Sequence, residues 1–65
     1  MYFLEAAKRG NVNAMYEVGV CYRQAIGVDK NLDEAFAWLE RAMAEGHREA
    51  KERLDNDDEY NPLQY

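Results

Sequence analysis

The chain repeats itself at a spacing of 36 residues, and that period narrows the folds open to it. Gly10 aligns with Gly46, Tyr2 with Trp38, Phe3 with Leu39, Ala6 with Ala42, Ala14 with Ala50 and Val18 with Leu54. Six like-for-like matches at one offset mark a repeat architecture, in which each unit buries its apolar face against its neighbour. With 65 residues, the chain holds one full unit flanked by two half-units. A chain of this size buries only about 60% of its unfolded surface, so its core has little margin.

The units read as helices. Asn31 is a cap residue with Glu34 three positions later, the spacing of a capping box. Ala35, Trp38, Leu39, Ala42 and Met43 then form a stripe of helical period, and Gly46 suits the left-handed position beyond the helix end. Gly10 ends a first helix, about 2–9, in the same way. A second helix spans about 12–25, with Ala14, Val18, Cys21, Tyr22 and Ala25 on one face. A fourth spans about 48–54 and stops at an acidic run that opposes the helix dipole. The expected fold is all-α, an α/α solenoid fragment of antiparallel helix-turn-helix repeats. It occupies residues 1–54, and 55–65 form an acidic, flexible tail.

Composition narrows the function. The net charge is −5, but Asp55, Asp57, Asp58 and Glu59 carry four of those charges and the first 54 residues sum to −1. No basic stripe faces a nucleic-acid backbone. No apolar run of membrane-spanning length occurs, and nothing resembles a secretory signal. Cys21 is the only cysteine, which excludes an intrachain disulfide and favours a reducing, cytoplasmic location. Catalysis lacks residues: there is no serine or threonine, His47 is the only histidine, and no glycine-rich phosphate loop exists. Cys21 lies on an apolar helix face, where a thiol stays protonated, so a Cys21–His47 pair is not a nucleophile. The chain reads as neither an enzyme nor a metal or cofactor protein.

Residues Ala14 to Ala50 resemble one complete Sel-one-like repeat of the tetratricopeptide superfamily. The resemblance rests on Ala14, Val18-Gly19, Cys21-Tyr22, Gly27-Val28, Glu34-Ala35, Trp38, Arg41-Ala42, Gly46 and Ala50. Residues 1–13 look like the end of a preceding repeat, and 50–54 like the start of the next. Four positions depart from the pattern: Ala25 replaces the first glycine of a turn, Asn31 an aspartate, Leu39 a tyrosine and Met43 an alanine. Without that glycine the turn is expected to follow a slightly longer helix, since a positive φ is costly for a residue with a Cβ. The resemblance implies helix pairs stacked into a superhelix that assembles protein complexes, and it brings no catalytic residues.

In such superhelices the first helix of each pair lines the concave surface. Tyr16, Val20 and Arg23 fall opposite the apolar stripe of that helix, and tyrosine and arginine are enriched at interface hot spots. Together with Asn13, Glu17 and Gln24 they are the expected contact surface for a protein or peptide partner. Tyr2, Phe3 and Leu4 open the chain in mid-repeat, with apolar groups uncapped. They mark either a face that upstream repeats cover or a face for a second copy or another protein. The competing reading of the chain is a small acidic inhibitor, antitoxin-like, that blocks a basic partner.

Overall fold

A computed structural model describes residues 2–63, with the Tyr2 side chain outside that description. Four helices follow one another: α1 (Tyr2–Lys8), α2 (Val12–Gln24), α3 (Leu32–Ala44) and α4 (Arg48–Asp55). No strand occurs among the described residues, and the fold is all-helical as expected. Each helix packs on the next along the chain, and connections of a few residues make such neighbours run antiparallel.

The 36-residue period reappears in the hydrogen bonds that shape the ends. After α1, the amides of Gly10 and Asn11 donate to the carbonyls of Ala7 and Ala6 at 3.0 and 3.1 Å. After α3, those of Gly46 and His47 donate to Met43 and Ala42 at 2.9 and 3.0 Å. Gly10 and Gly46 hold nearly identical left-handed backbones, φ 94 and 93°, as a helix stop of this kind requires. The caps that follow also coincide. Asn11 Oδ1 accepts from the Ala14 amide at 3.0 Å, and His47 Nδ1 accepts from the Ala50 amide at 3.1 Å. An imidazole nitrogen thus fills the place of an asparagine side-chain oxygen.

The capping box at Asn31 forms by half. Asn31 Oδ1 accepts from the Glu34 amide at 3.1 Å, but the Asn31 amide donates back to the Tyr22 carbonyl at 3.0 Å. The start of α3 is therefore tied to the last full turn of α2 instead of to its own glutamate.

Buried residues fill two sides of the central helices, because each packs against an element on either side. The stripes drawn from helical period are too narrow for this. Met15 and Phe36, outside those stripes, are buried, with Phe36 fully enclosed. Ala14, Val18, Ala35, Trp38, Leu39 and Ala42 are buried as expected, with Tyr22 and Met43 packed at the edge. Cys21 is buried, which pushes its thiol up, with Glu17 adding to the shift.

Two residues set the α2–α3 turn and contact. At Gly19 the helices touch. A Cβ there would lie 2.7 Å from Leu39 Cγ, 2.9 Å from its Cδ2 and 3.0 Å from the Ala35 carbonyl oxygen. At Ala25 the expectation of a longer helix is corrected. The helix ends at Gln24, and Ala25 itself takes the left-handed conformation, φ 56° and ψ 44°. Its amide and that of Ile26 both return to the Cys21 carbonyl, and these closing bonds offset the clash of the Cβ.

Helix α4 is the short copy. Shifted by 36 residues, α2 would continue to Tyr60, yet α4 stops at Asp55. Asp57 stands where the full repeat has buried Cys21, so a continued helix would bury a carboxylate and stack acids on its C-terminus. The chain turns at Asn56 instead. The segment expected to be a free tail makes contacts with the helices: Asp57 reaches α2, and Tyr60 packs edge-on against Phe36 with ring centroids 5.1 Å apart.

These two positions carry opposite expectations. Gly19→Ala lowers stability by about 1–3 kcal/mol, although alanine ordinarily improves a helix interior. Ala25→Gly raises it by about 0.5–1 kcal/mol by relieving the left-handed Cβ. Thermal melts of both variants followed by circular dichroism check the signs, and a stabilising Gly19→Ala would refute the close helix contact.

Candidate functional site

A shallow groove runs between α2 and α4. Tyr16, Arg23 and Gln24 line it from α2, Leu39 from α3, and Glu49, Glu52 and Arg53 from α4. Asn56, Asp57, Asp58 and Glu59 close one end. Of the six residues expected to form a contact surface, Tyr16, Arg23 and Gln24 share this groove. Asn13 is exposed on the same helix, and Glu17 and Val20 are half-buried outside the groove lining. Phe3, on the other expected face, is 39% exposed, and Leu4 packs at the core edge. The side chain of Tyr2, named with them, lies outside the described residues.

Tyr16 joins the two helices. Its ring stacks on His47, with centroids 4.6 Å apart and planes 18° from parallel. The Arg53 Nε donates to its hydroxyl at 2.8 Å, and the same guanidinium stands 5.7 Å from its ring centre. The His47 ring therefore works twice, capping α4 through Nδ1 and supporting Tyr16 with its face. From sequence alone His47 is weighed only as a catalytic candidate and is given no structural role. The signal was available in the repeat, since His47 falls 36 residues after Asn11.

Arg23 anchors the other end. Its Nε meets Asp57 Oδ2 at 2.7 Å and its Nη2 meets Asp57 Oδ1 at 3.3 Å, a two-point pairing. Glu59 Oε1 stands 3.6 Å from the same Nη2. Arg23 and Asp57 side chains are 25% and 11% exposed, so this pair is shielded more than an ordinary surface bridge. The Arg23 hydrogen bond holds the Asp57 carboxyl below its usual range, and the Glu59 amide bond deepens that effect. The Asp57 hydrogen bond raises the Arg23 guanidinium in turn. Next to them, the Tyr60 hydroxyl donates to Glu40, and burial followed by that bond pushes its phenol up to about 12.

The arrangement offers charge, aromatic surface and hydrogen-bond groups. Among the described residues, no group of three or more His, Cys, Asp or Glu side chains could hold a metal ion. Among the same residues, no helix is long and apolar enough to cross a membrane.

The segment at the groove gives two pH windows of opposite sense. A lowered Asp57 contributes stability that is present above the ordinary carboxylate range and lost as pH falls through its folded value. A raised Tyr60 contributes stability present below its ordinary 10.0 and lost as pH rises towards about 12. Asp57→Asn is expected to cost about 1 kcal/mol near neutrality, about 5 °C in Tm, with the difference shrinking as pH falls through the folded value of Asp57. Tyr60→Phe loses most near neutrality and little at pH 12. Melts across pH check both, and an Asp57→Asn deficit that does not shrink with acidification below the ordinary carboxylate range would refute the ion-pair assignment.

The comparisons with known proteins follow the same repeat. The family model described as Sel1 repeat matches residues 1–11 and 12–47, which puts the repeat boundary at the start of α2. DAP3-binding cell death enhancer 1 of Rattus norvegicus is 38% identical over 53 residues, covering 82% of this chain and 10% of that protein. The Mus musculus protein of the same name is 36% identical over 53 residues, with the same coverage. The chain thus spans about a tenth of the length of the curated relatives it matches. No solved structure matches it significantly. With its period, its paired helix stops and the family match all on one frame, the chain belongs to the Sel1 repeat family, whose repeats generally mediate protein–protein interaction.

Proposed function

We propose that the chain is an adaptor or scaffold module that presents the outer face of α2 to a protein or peptide partner. The observation that carries this reading is the groove in which Tyr16, Arg23 and Gln24 face α4. It combines an aromatic ring, a guanidinium and an amide on rigid helices, the residue types and the mounting that binding surfaces favour. Asn13, Glu17 and Val20 extend the surface along the same helix. The acidic-inhibitor reading is weakened by the pairing of Asp57 and Glu59 with Arg23, which draws those charges into the chain's own groove. A cytoplasmic location belongs to the same proposal and rests on the unpaired thiol of Cys21.

A second surface is proposed at the opposite end, where Phe3 is exposed beside Leu4 on α1. It would take an adjoining repeat or a second copy of the chain. Light scattering over a wide concentration range tests the second copy, and a constant monomer mass would remove it.

The relatives are named for binding DAP3, which makes DAP3 the first protein to test against this chain. Calorimetric titration with purified DAP3 is expected to show binding. Val20→Glu with Gln24→Glu, a half-buried and an exposed position, is expected to weaken it at least tenfold. No binding by the folded chain would remove DAP3 as the partner. Unchanged binding in the folded double variant would remove the α2 surface.

A further inference from the structure

The groove is already filled at one end by the chain itself. After α4 the backbone turns, and the Glu59 amide donates to Asp57 Oδ1 at 2.9 Å. That bond fixes a tight bend in which two carboxylates, two residues apart, converge on Arg23. Tyr60 follows, its ring edge-on to Phe36 and its hydroxyl on Glu40. The segment therefore shows a complete mode of engagement: a two-point carboxylate, a second carboxylate beside it, and an aromatic anchor.

Nothing in the repeat architecture calls for this contact. In the repeat frame these positions correspond to the last turns of α2, which are helical there. The segment has left the helical path and lies across the groove. Its grip is mainly polar: Asp58, Glu59 and residues 61–63 are exposed. A tethered ligand of this kind competes at an effective concentration in the millimolar range, so a free ligand must displace it.

We infer that residues 57–60 stand in for an external ligand, and that the groove is a docking site for an acidic peptide with two carboxylates spaced two residues apart, followed by an aromatic residue. This rests on the reading of the α2 face as an interaction surface and names the chemistry of its occupant. The acidic choice follows from what the helices contribute once the segment is lifted. Arg23 offers a planar fork matched to carboxylate geometry, whereas on α4 Glu49 and Glu52 stand beside Arg53, which reaches across to Tyr16, so the choice rests on Arg23. A bound carboxylate at Arg23 is the occupant the structure contains.

The test uses the full chain and a fluorescent peptide with the sequence of residues 57–62 as probe. Asp57→Asn with Glu59→Gln opens the groove and is expected to bind the probe at least tenfold more tightly than the unaltered chain. Adding Arg23→Ala in that background is expected to reverse the gain, and raising salt to weaken binding. A charge-reversed peptide, with lysines for the acids, is expected not to bind. Equal affinity in opened and unaltered chains, indifference to Arg23→Ala, or preference for the lysine peptide would each overturn the inference. Should the opened variant fold poorly, NMR of the isotope-labelled unaltered chain decides. Saturating unlabelled peptide must shift the Arg23 Nε–H and Tyr60 ring signals together, and their constancy would overturn it equally. Failure here alongside retained DAP3 binding that is sensitive to Val20 and Gln24 would remove the acidic ligand and leave the interaction surface standing.

Discussion

At Gly19 the backbone of α2 lies against Leu39 and the Ala35 carbonyl with no room for a side chain, and the rest of the fold is arranged around that approach. Small residues on both partners let the axes close, and the large side chains then occupy the space at either end. Val18, Phe36 and Leu39 become fully enclosed as a result. A helix in the middle of such a stack has no single inner side. It buries one face on the element before it and another on the element after it, which is why Met15 and Phe36 join the core.

That double burial explains why the ends of the helices matter. Each must stop and reverse within a few residues, and the chain uses one device twice. A left-handed glycine, a return bond to the carbonyl five residues back, and a side-chain cap recur at Gly10–Asn11 and Gly46–His47. The third reversal uses other means. Ala25 adopts the left-handed conformation without a glycine, and the Asn31 amide ties the next helix to Tyr22. His47 connects this scaffolding to the groove, because the ring that caps α4 also supports Tyr16.

The groove is built from positions on two helices that never meet in sequence. Tyr16 with Arg53, and Arg23 with Asp57, are 37 and 34 residues apart. Within the repeat frame these separations are close to one period, so equivalent faces of successive repeats are brought side by side. The acidic segment belongs to this arrangement because the repeat pattern ends at Leu54. The five residues that follow, Asp55 to Glu59, are all polar and cannot hold a helix against α3, and the carboxylates find a guanidinium instead.

The sequence by itself determined the period, the four helices, their stops at Gly10 and Gly46, and most of the core, because spacing and turn chemistry are local properties. It also put Tyr16, Val20 and Arg23 opposite the apolar stripe of α2, although Tyr16 packs against the core. Only the tertiary structure decided what those residues touch. Helical period puts Arg23 on an outer face, but the fold of residues 56–60 decides that the face meets Asp57. Composition marked that stretch as acidic and irregular, and such a stretch has no periodicity from which a contact can be read. The left-handed Ala25 was hidden for a related reason: its local cost argues against the conformation, and the bonds that offset it exist only once the turn has closed.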